Sequence, residues 1–224
     1  MSKKIGVILS GCGYLDGAEI QESVLTLLAI DRAGASAICM APDVDQMHVV
    51  NHMSQTEMPE RRNVLTEAGR IVRGQIQDVK TVSAADLDAL ILPGGYGAAK
   101  NLSDFALKGA DCTVQPDVAR LLGDILKAQK PIGVICIAPA VMAKVAQESG
   151  DAVTLTVGND ADTAAALTQM GATHVEREVD DIVIDKHRKI VSTPAYMLPD
   201  RLTRIEKGIS KLVHAVIELI QKTN

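Results

Sequence analysis

Aromatic side chains are nearly absent. The 224 residues include three tyrosines, one phenylalanine and no tryptophan. A core made from such a chain must be aliphatic, and the stacking platforms that bind single-stranded nucleic acid are lacking. Positive charge is scarce as well: 23 Lys and Arg against 28 Asp and Glu leave a net charge of −5. Without clustered cations there is no footprint for a phosphate backbone, so nucleic acid is not an expected partner. Nor is a membrane. The longest uncharged apolar stretch, Ile132 to Ala143, falls short of the roughly 20 residues that a spanning helix needs. The N-terminal Met-Ser-Lys-Lys-Ile-Gly-Val-Ile-Leu has no hydrophobic segment of signal length and reads as the start of a strand. Four cysteines, at positions 12, 39, 112 and 136, show no Cys-x-x-Cys spacing, which points to neither a zinc site nor a disulfide framework. The expectations are a reducing cytoplasm, no metal and no cofactor.

What the chain does have is aliphatic bulk, with 47% hydrophobic residues, enough to exclude a disordered polymer. Short β-branched runs alternate with amphipathic helical stretches, the pattern of a mostly parallel sheet with helices on both faces. Strands are expected at Ile5–Ser10, Ala35–Met40, Leu90–Leu92, Ile132–Ile135 and Val153–Val157. A hairpin is expected from Ile182–Ile184 and Ile190–Ser192 around Asp185-Lys186-His187-Arg188-Lys189. Helices are expected at Glu19–Ala33, with Ile20, Val24, Leu27 and Leu28 as its buried face, and at Arg61–Arg73, Pro116–Ala128, Asp160–Met170 and Arg201–Gln221, with another opening at Pro139. Residues 43–60 form a long polar loop. No repeats or linkers interrupt the pattern, so residues 1–224 read as a single α/β domain.

Open parallel sheets bind ligands at the carboxyl ends of their strands. Four segments bring glycine-rich or polar residues to that edge: Gly11-Cys12-Gly13, Pro93-Gly94-Gly95, Cys136 and Thr193-Pro194. In Lys130-Pro-Ile-Gly-Val-Ile-Cys136-Ile-Ala-Pro139 a thiol lies between a buried strand and a helix start, the placement of a nucleophile elbow. The helix N-terminus favours the thiolate there. Gly94 and Gly95 let backbone N–H groups approach a reacting carbonyl. Position alone leaves Cys136 open between nucleophile and inert core thiol. By helical spacing Glu22 falls off the Ile20–Val24 face, as a solvated side chain would. Cys12 reads as a second pocket thiol or as small-residue packing; Cys39 reads as core and Cys112 as an incidental loop residue.

The motifs Gly133-x-x-Cys136-x-x-Pro139, Leu92-Pro-Gly-Gly95 and Gly17-Ala18-Glu19-x-x-Glu22-Ser-Val resemble the PfpI, or class-I glutamine-amidotransferase-like, superfamily. The stretches Lys4–Gly13, Val50-Asn-His52, Arg62-Asn-Val-Leu65, Leu92–Ser103, Cys136–Pro139, Val179–Val183 and Thr193–Met197 narrow the resemblance to one branch. It is that of the bacterial ElbB glyoxalases, known also as "enhancing lycopene biosynthesis" or isoprenoid-biosynthesis proteins with an amidotransferase-like domain. The resemblance implies a flavodoxin-like three-layer sandwich, a homodimer and no cofactor. It also implies a reactive Cys136 with Glu22 against its thiol, and an oxyanion hole from the backbone N–H groups of Gly95 and Ile137. Asp16 and Glu19 are competing carboxylates. Gly94, Cys12, His174, Asn51 and His52 are further pocket candidates, whereas His48 and His187 have no metal spacing and His214 reads as structural. Ile137 stands where protease-like members carry histidine, so a Cys-His hydrolase is not implied. The implied activity is conversion of glyoxal to glycolate, or deglycation by the same chemistry. Such a small polar dicarbonyl needs no aromatic pocket. The alternatives are a redox or stress sensor using an oxidisable Cys136, and an accessory protein of isoprenoid metabolism.

Overall fold

The computed structural model describes residues 2–221. Among the described residues eleven strands run in chain order. They are β1 Lys4–Ile8, β2 Ser36–Ala41, β3 Val50–Asn51, β4 Thr56–Glu57, β5 Gln77–Asp78, β6 Ala89–Leu92, β7 Ile132–Ile135, β8 Thr154–Leu155, β9 Thr173–His174, β10 Val183–Asp185 and β11 Ile190–Thr193. The helices are α1 Ile20–Arg32, α2 Val64–Ile71, α3 Tyr96–Lys100, α4 Phe105–Lys108, α5 Pro116–Lys127, α6 Ala138–Ser149, α7 Ala161–Gln169 and α8 Leu202–Gln221.

Seven strands form one sheet in the order β10-β11-β7-β6-β1-β2-β5. All pairings in it are parallel except β10 with β11, the expected hairpin. The central strands are buried on both faces, so they read as unbroken apolar runs. Their alternation divides the core into two layers. Leu90 and Leu92 of β6 and Ile132 and Val134 of β7 join the layer that takes in α5 and α6. Ala89 and Ile91 of β6 and Ile135 of β7 join the layer with α1, α2 and α8. The three-layer α/β sandwich expected from the sequence is the fold observed.

The strand order reverses between β1 and β6, since β2 lies on one side of β1 and β6 on the other. A crevice opens at such a switch point, outside the carboxyl ends of the strands. The long 43–60 segment contains a two-stranded ribbon, β3 with β4.

One helix is rotated relative to its amphipathic reading. The α1 residues Ile20, Val24 and Leu28 are exposed, while Glu22, Ser23, Thr26, Ala29 and Ile30 face inward. The physical reason is that α1 lies alongside α8 with Ala29 and Ile30 in the core layer the two helices share, and that Glu22 finds backbone donors in Gly94 and Tyr196. Two further expectations change. Cys112 is fully buried in the layer holding α5 and α6, not incidental in a loop. His214 stands on the outer side of α8, paired with Glu218 at 3.1 Å.

Candidate active site

Cys136 follows β7 directly and precedes α6. Its backbone is left-handed, with φ 61°, a conformation that side-chain-bearing residues adopt only where the surroundings impose it. The N–H of Cys136 donates to the Thr193 carbonyl at 3.0 Å, fixing the turn to β11. Two segments supply donors: the backbone N–H groups of Gly95, after β6, and of Ile137, at the start of α6, both hydrogen-bond to the sulfur. Ile137 is the N-cap of α6 and carries no side-chain cap, so the free N–H end of that helix is turned on the thiol.

Glu22 enters from the opposite side. Its carboxyl is 0% exposed and hydrogen-bonds to the Cys136 thiol. Oε2 accepts from the Gly94 N–H at 2.8 Å and Oε1 from the Tyr196 N–H at 3.2 Å. The Tyr196 donor sits in a tight turn after β11, where Ala195 is also left-handed, with φ 44°. Space is as tight as the bonding. A Cβ on Gly94 would stand 2.5 Å from the Cys136 Cβ and 2.8 Å from Glu22 Oε2. Gly95, at φ 90°, would meet the Glu19 nitrogen at 2.4 Å. Glycine is therefore required at position 94 by contact, and at position 95 by contact and dihedral together.

Burial pushes the Glu22 carboxyl up to about 8, helped by the neighbouring Glu19 charge and opposed by the Gly94 and Tyr196 donors. Burial, followed by the charge of Glu22, likewise pushes the Cys136 thiol well above its ordinary value. The second of these effects exists only while Glu22 is ionised. Once protonated, Glu22 stops repelling the sulfur and donates to it. A thiolate then accepts from Glu22, Gly95 and Ile137 together. Burial favours the protonated form of both groups, and they titrate as a coupled pair.

A cavity of about 440 Å³ opens in front of the thiol, lined among others by Cys136, Ile137, Gly95, Glu19 and Met197. Glu19 combines two tasks: it lines this cavity and its side chain caps α1 by accepting from the Glu22 N–H at 2.6 Å. Thus the structure brings Glu22, Gly94, Gly95 and Ile137 together around Cys136. Asp16 is turned away, accepting from the Val50 N–H at 2.7 Å.

The remaining pocket candidates stand elsewhere. His174 lies in β9, where its Nε2 accepts from the Val157 N–H at 3.4 Å; it does not line the cavity. Asn51 caps the β3–β4 turn, its Oδ1 accepting from the Met53 N–H at 2.9 Å. His52 supports the loop behind the cavity. Its Nε2 accepts from the Leu15 N–H at 3.3 Å, and its ring meets Tyr14 edge-on at 5.3 Å. Cys12 is outside the lining, half-buried near Glu67, Arg70 and Arg62, and burial raises its thiol. Among the described residues no group of three or more His, Cys, Asp or Glu is placed to hold a metal. No helix among them is long and apolar enough to cross a membrane.

No protein-family model matches the chain, but individual proteins do. It is 45% identical over 229 residues to the human "glutamine amidotransferase-like class 1 domain-containing protein 3, mitochondrial", covering 98% of this chain and 84% of that protein. This chain belongs to the glutamine amidotransferase-like class 1 domain family. The rat "ES1 protein homolog, mitochondrial" is 43% identical over 98% of this chain and 85% of its own length. Among solved structures, the isoprenoid biosynthesis protein with amidotransferase-like domain from Ehrlichia chaffeensis superposes with a TM-score of 0.89 at 34% identity, over 96% of this chain and 99% of the other. Glyoxalase III of Candida albicans shares the amidotransferase-like fold alone, with a TM-score of 0.63 at 13% identity over 97% of each chain. The human and rat relatives are named as mitochondrial, as is the zebrafish one, and this overturns the cytoplasmic expectation. Cysteine spacing, from which that expectation was drawn, does not distinguish the cytosol from another reducing compartment.

Proposed function

We propose that this chain is a glutathione-independent glyoxalase converting glyoxal to glycolate through a hemithioacetal on Cys136. One observation carries the reading: a buried carboxyl and two backbone N–H groups converge on a single thiol beside an open cavity. The thiol gives up its proton to solvent, and the Cys136 thiolate, beside a protonated Glu22, adds to one aldehyde carbon, forming a C–S bond. The N–H groups of Gly95 and Ile137 hold the oxygen that becomes negative, and Glu22 gives it a proton. Glu22, now a carboxylate, removes the hydrogen from the sulfur-bearing carbon as a proton. The electron pair left behind forms an enediol. Return of the proton to the neighbouring carbon reduces that carbon to the alcohol level and leaves the first as a thioester. Water then cleaves the C–S bond, releasing glycolate and the free thiol. No external oxidant or reductant enters the balance.

The same steps on a glyoxal adduct constitute a deglycase, because the adduct and free glyoxal interconvert. A glutamine-hydrolysing role has less support, since a Cys-His base pair is needed for it and no histidine is among the described residues lining the cavity. The reading is tested by incubating purified protein with glyoxal, with neither glutathione nor metal added, and assaying glycolate. Glycolate from the wild type and none from Cys136→Ser is expected; no glycolate from folded wild type overturns it.

A further inference from the structure

The chain has four aromatic residues, and all four, Tyr14, Tyr96, Phe105 and Tyr196, line the cavity in front of Cys136. They arrive from four separate segments: the loop after β1, α3, α4 and the turn after β11. The fully buried core is filled by aliphatic, methionine and cysteine side chains. Each ring is held in place. The Tyr196 hydroxyl donates to Gln21, Tyr14 rests edge-on against His52, and Lys100 Nζ sits 5.3 Å from the Tyr96 ring centre. Phe105 is half-buried against the layer holding α5 and α6.

Two further features narrow what fits. At about 30 Å³ per water, a cavity of about 440 Å³ has room for on the order of fifteen water molecules, whereas glyoxal displaces only about two. The charged side chains among the described lining residues are Glu19 and Asp160, and no Lys or Arg is among them. A carboxylate or phosphate on the ligand finds repulsion there instead of a partner.

Resting on the glyoxalase reading, we propose that the preferred substrate is an uncharged α-oxoaldehyde whose ketone carries an aromatic or comparably flat apolar group. The rings grip that group while Cys136 meets the aldehyde. Offset-stacked and edge-on contacts with such a group are the ones that ring-lined sites provide. The chemistry balances as for glyoxal. Sulfur adds to the aldehyde carbon, whose hydrogen leaves as a proton to Glu22 and returns to the ketone carbon. Water cleaves the thioester to give a 2-aryl-2-hydroxy acid.

The test compares phenylglyoxal, glyoxal and 4-carboxyphenylglyoxal as substrates of the wild type, Phe105→Ala and Tyr96→Ala. A single methylene in a fitting pocket changes kcat/KM by about tenfold or more. Phenylglyoxal is therefore expected to exceed glyoxal by at least about tenfold, and each alanine variant to reduce that ratio severalfold. The 4-carboxyl compound is expected to fall below phenylglyoxal. Glyoxal turned over as well as phenylglyoxal, or a ratio unmoved by both variants, overturns the proposal and leaves the glyoxalase reading standing. A second readout does not depend on turnover: binding of the unreactive 2-hydroxyacetophenone, against hydroxyacetone, by saturation-transfer NMR. If neither aldehyde reacts but 2-hydroxyacetophenone alone binds, the glyoxalase reading falls and the ring-lined ligand class stands. If neither aldehyde reacts and neither ketone binds, both fall.

Discussion

Glu22 is the residue whose chemistry departs furthest from its ordinary behaviour. A carboxyl with no exposure and an upward shift to about 8 holds its proton more tightly in the folded chain than in the unfolded one. Its contribution to stability is therefore fully present below the ordinary value of 4.5 and is lost as pH rises through about 8. Burial of the Cys136 thiol acts in the same direction at higher pH. Across that window the wild type should lose stability relative to Glu22→Gln with a slope of up to about 1.4 kcal/mol per pH unit. Urea unfolding of both proteins at a series of pH values measures it, and parallel stability curves would contradict the buried, protonated carboxyl. Gly94 is the second decisive position. A methyl group there collides with both members of the pair, so Gly94→Ala should cost about 1–3 kcal/mol and abolish turnover. Calorimetry with an activity assay checks this, and an active, fully stable Gly94→Ala protein would be inconsistent with the geometry.

At the scale of elements, α1 carries the main lesson. Its hydrophobic residues Ile20, Val24 and Leu28 are the exposed ones, so Val24→Gln should change stability by no more than about 0.5 kcal/mol. Ile30→Ala, on the inward side, should cost about 2–5 kcal/mol. The opposite ranking in urea unfolding would restore the amphipathic reading. Periodicity missed this orientation because the groups that make Glu22 burial tolerable are the N–H donors of Gly94 and Tyr196, 72 and 174 residues away in the chain. No local pattern contains them. The strands were easier to read. Ile132–Ile135 and the 190-region hairpin stand where β-branched runs placed them, because strands buried on both faces leave a continuous apolar signature. The ends of those strands also marked the edge at which Cys136, Gly94 and Gly95 meet. The ring-lined cavity went unread, although Tyr14, Tyr96 and Tyr196 each follow within a few residues of a strand end assigned to that edge. The small polar dicarbonyl implied by the resemblance needs no aromatic pocket, whereas the few aromatic residues that exist are gathered at one place.

For the molecule as a whole, the sheet order sets the location of the chemistry. The reversal of strand order between β1 and β6 opens a crevice, and the loops after β1, β6, β7 and β11 supply it with Tyr14, Gly95, Cys136 and Tyr196. One helix from each of two layers completes the centre: α6 turns its N-terminus on the sulfur and α1 delivers the carboxyl. Family membership agrees with this architecture, while the proposed activity rests on the pair itself. The most direct test is the pH profile of kcat/KM for glycolate formation from glyoxal by wild type and Glu22→Gln. The account predicts that wild-type activity falls as pH rises through about 8, where Glu22 loses its proton. It predicts that Glu22→Gln is slower by about 10²–10⁴-fold at neutral pH and lacks that alkaline decline. A Glu22→Gln protein with the wild-type rate and the wild-type profile would contradict it.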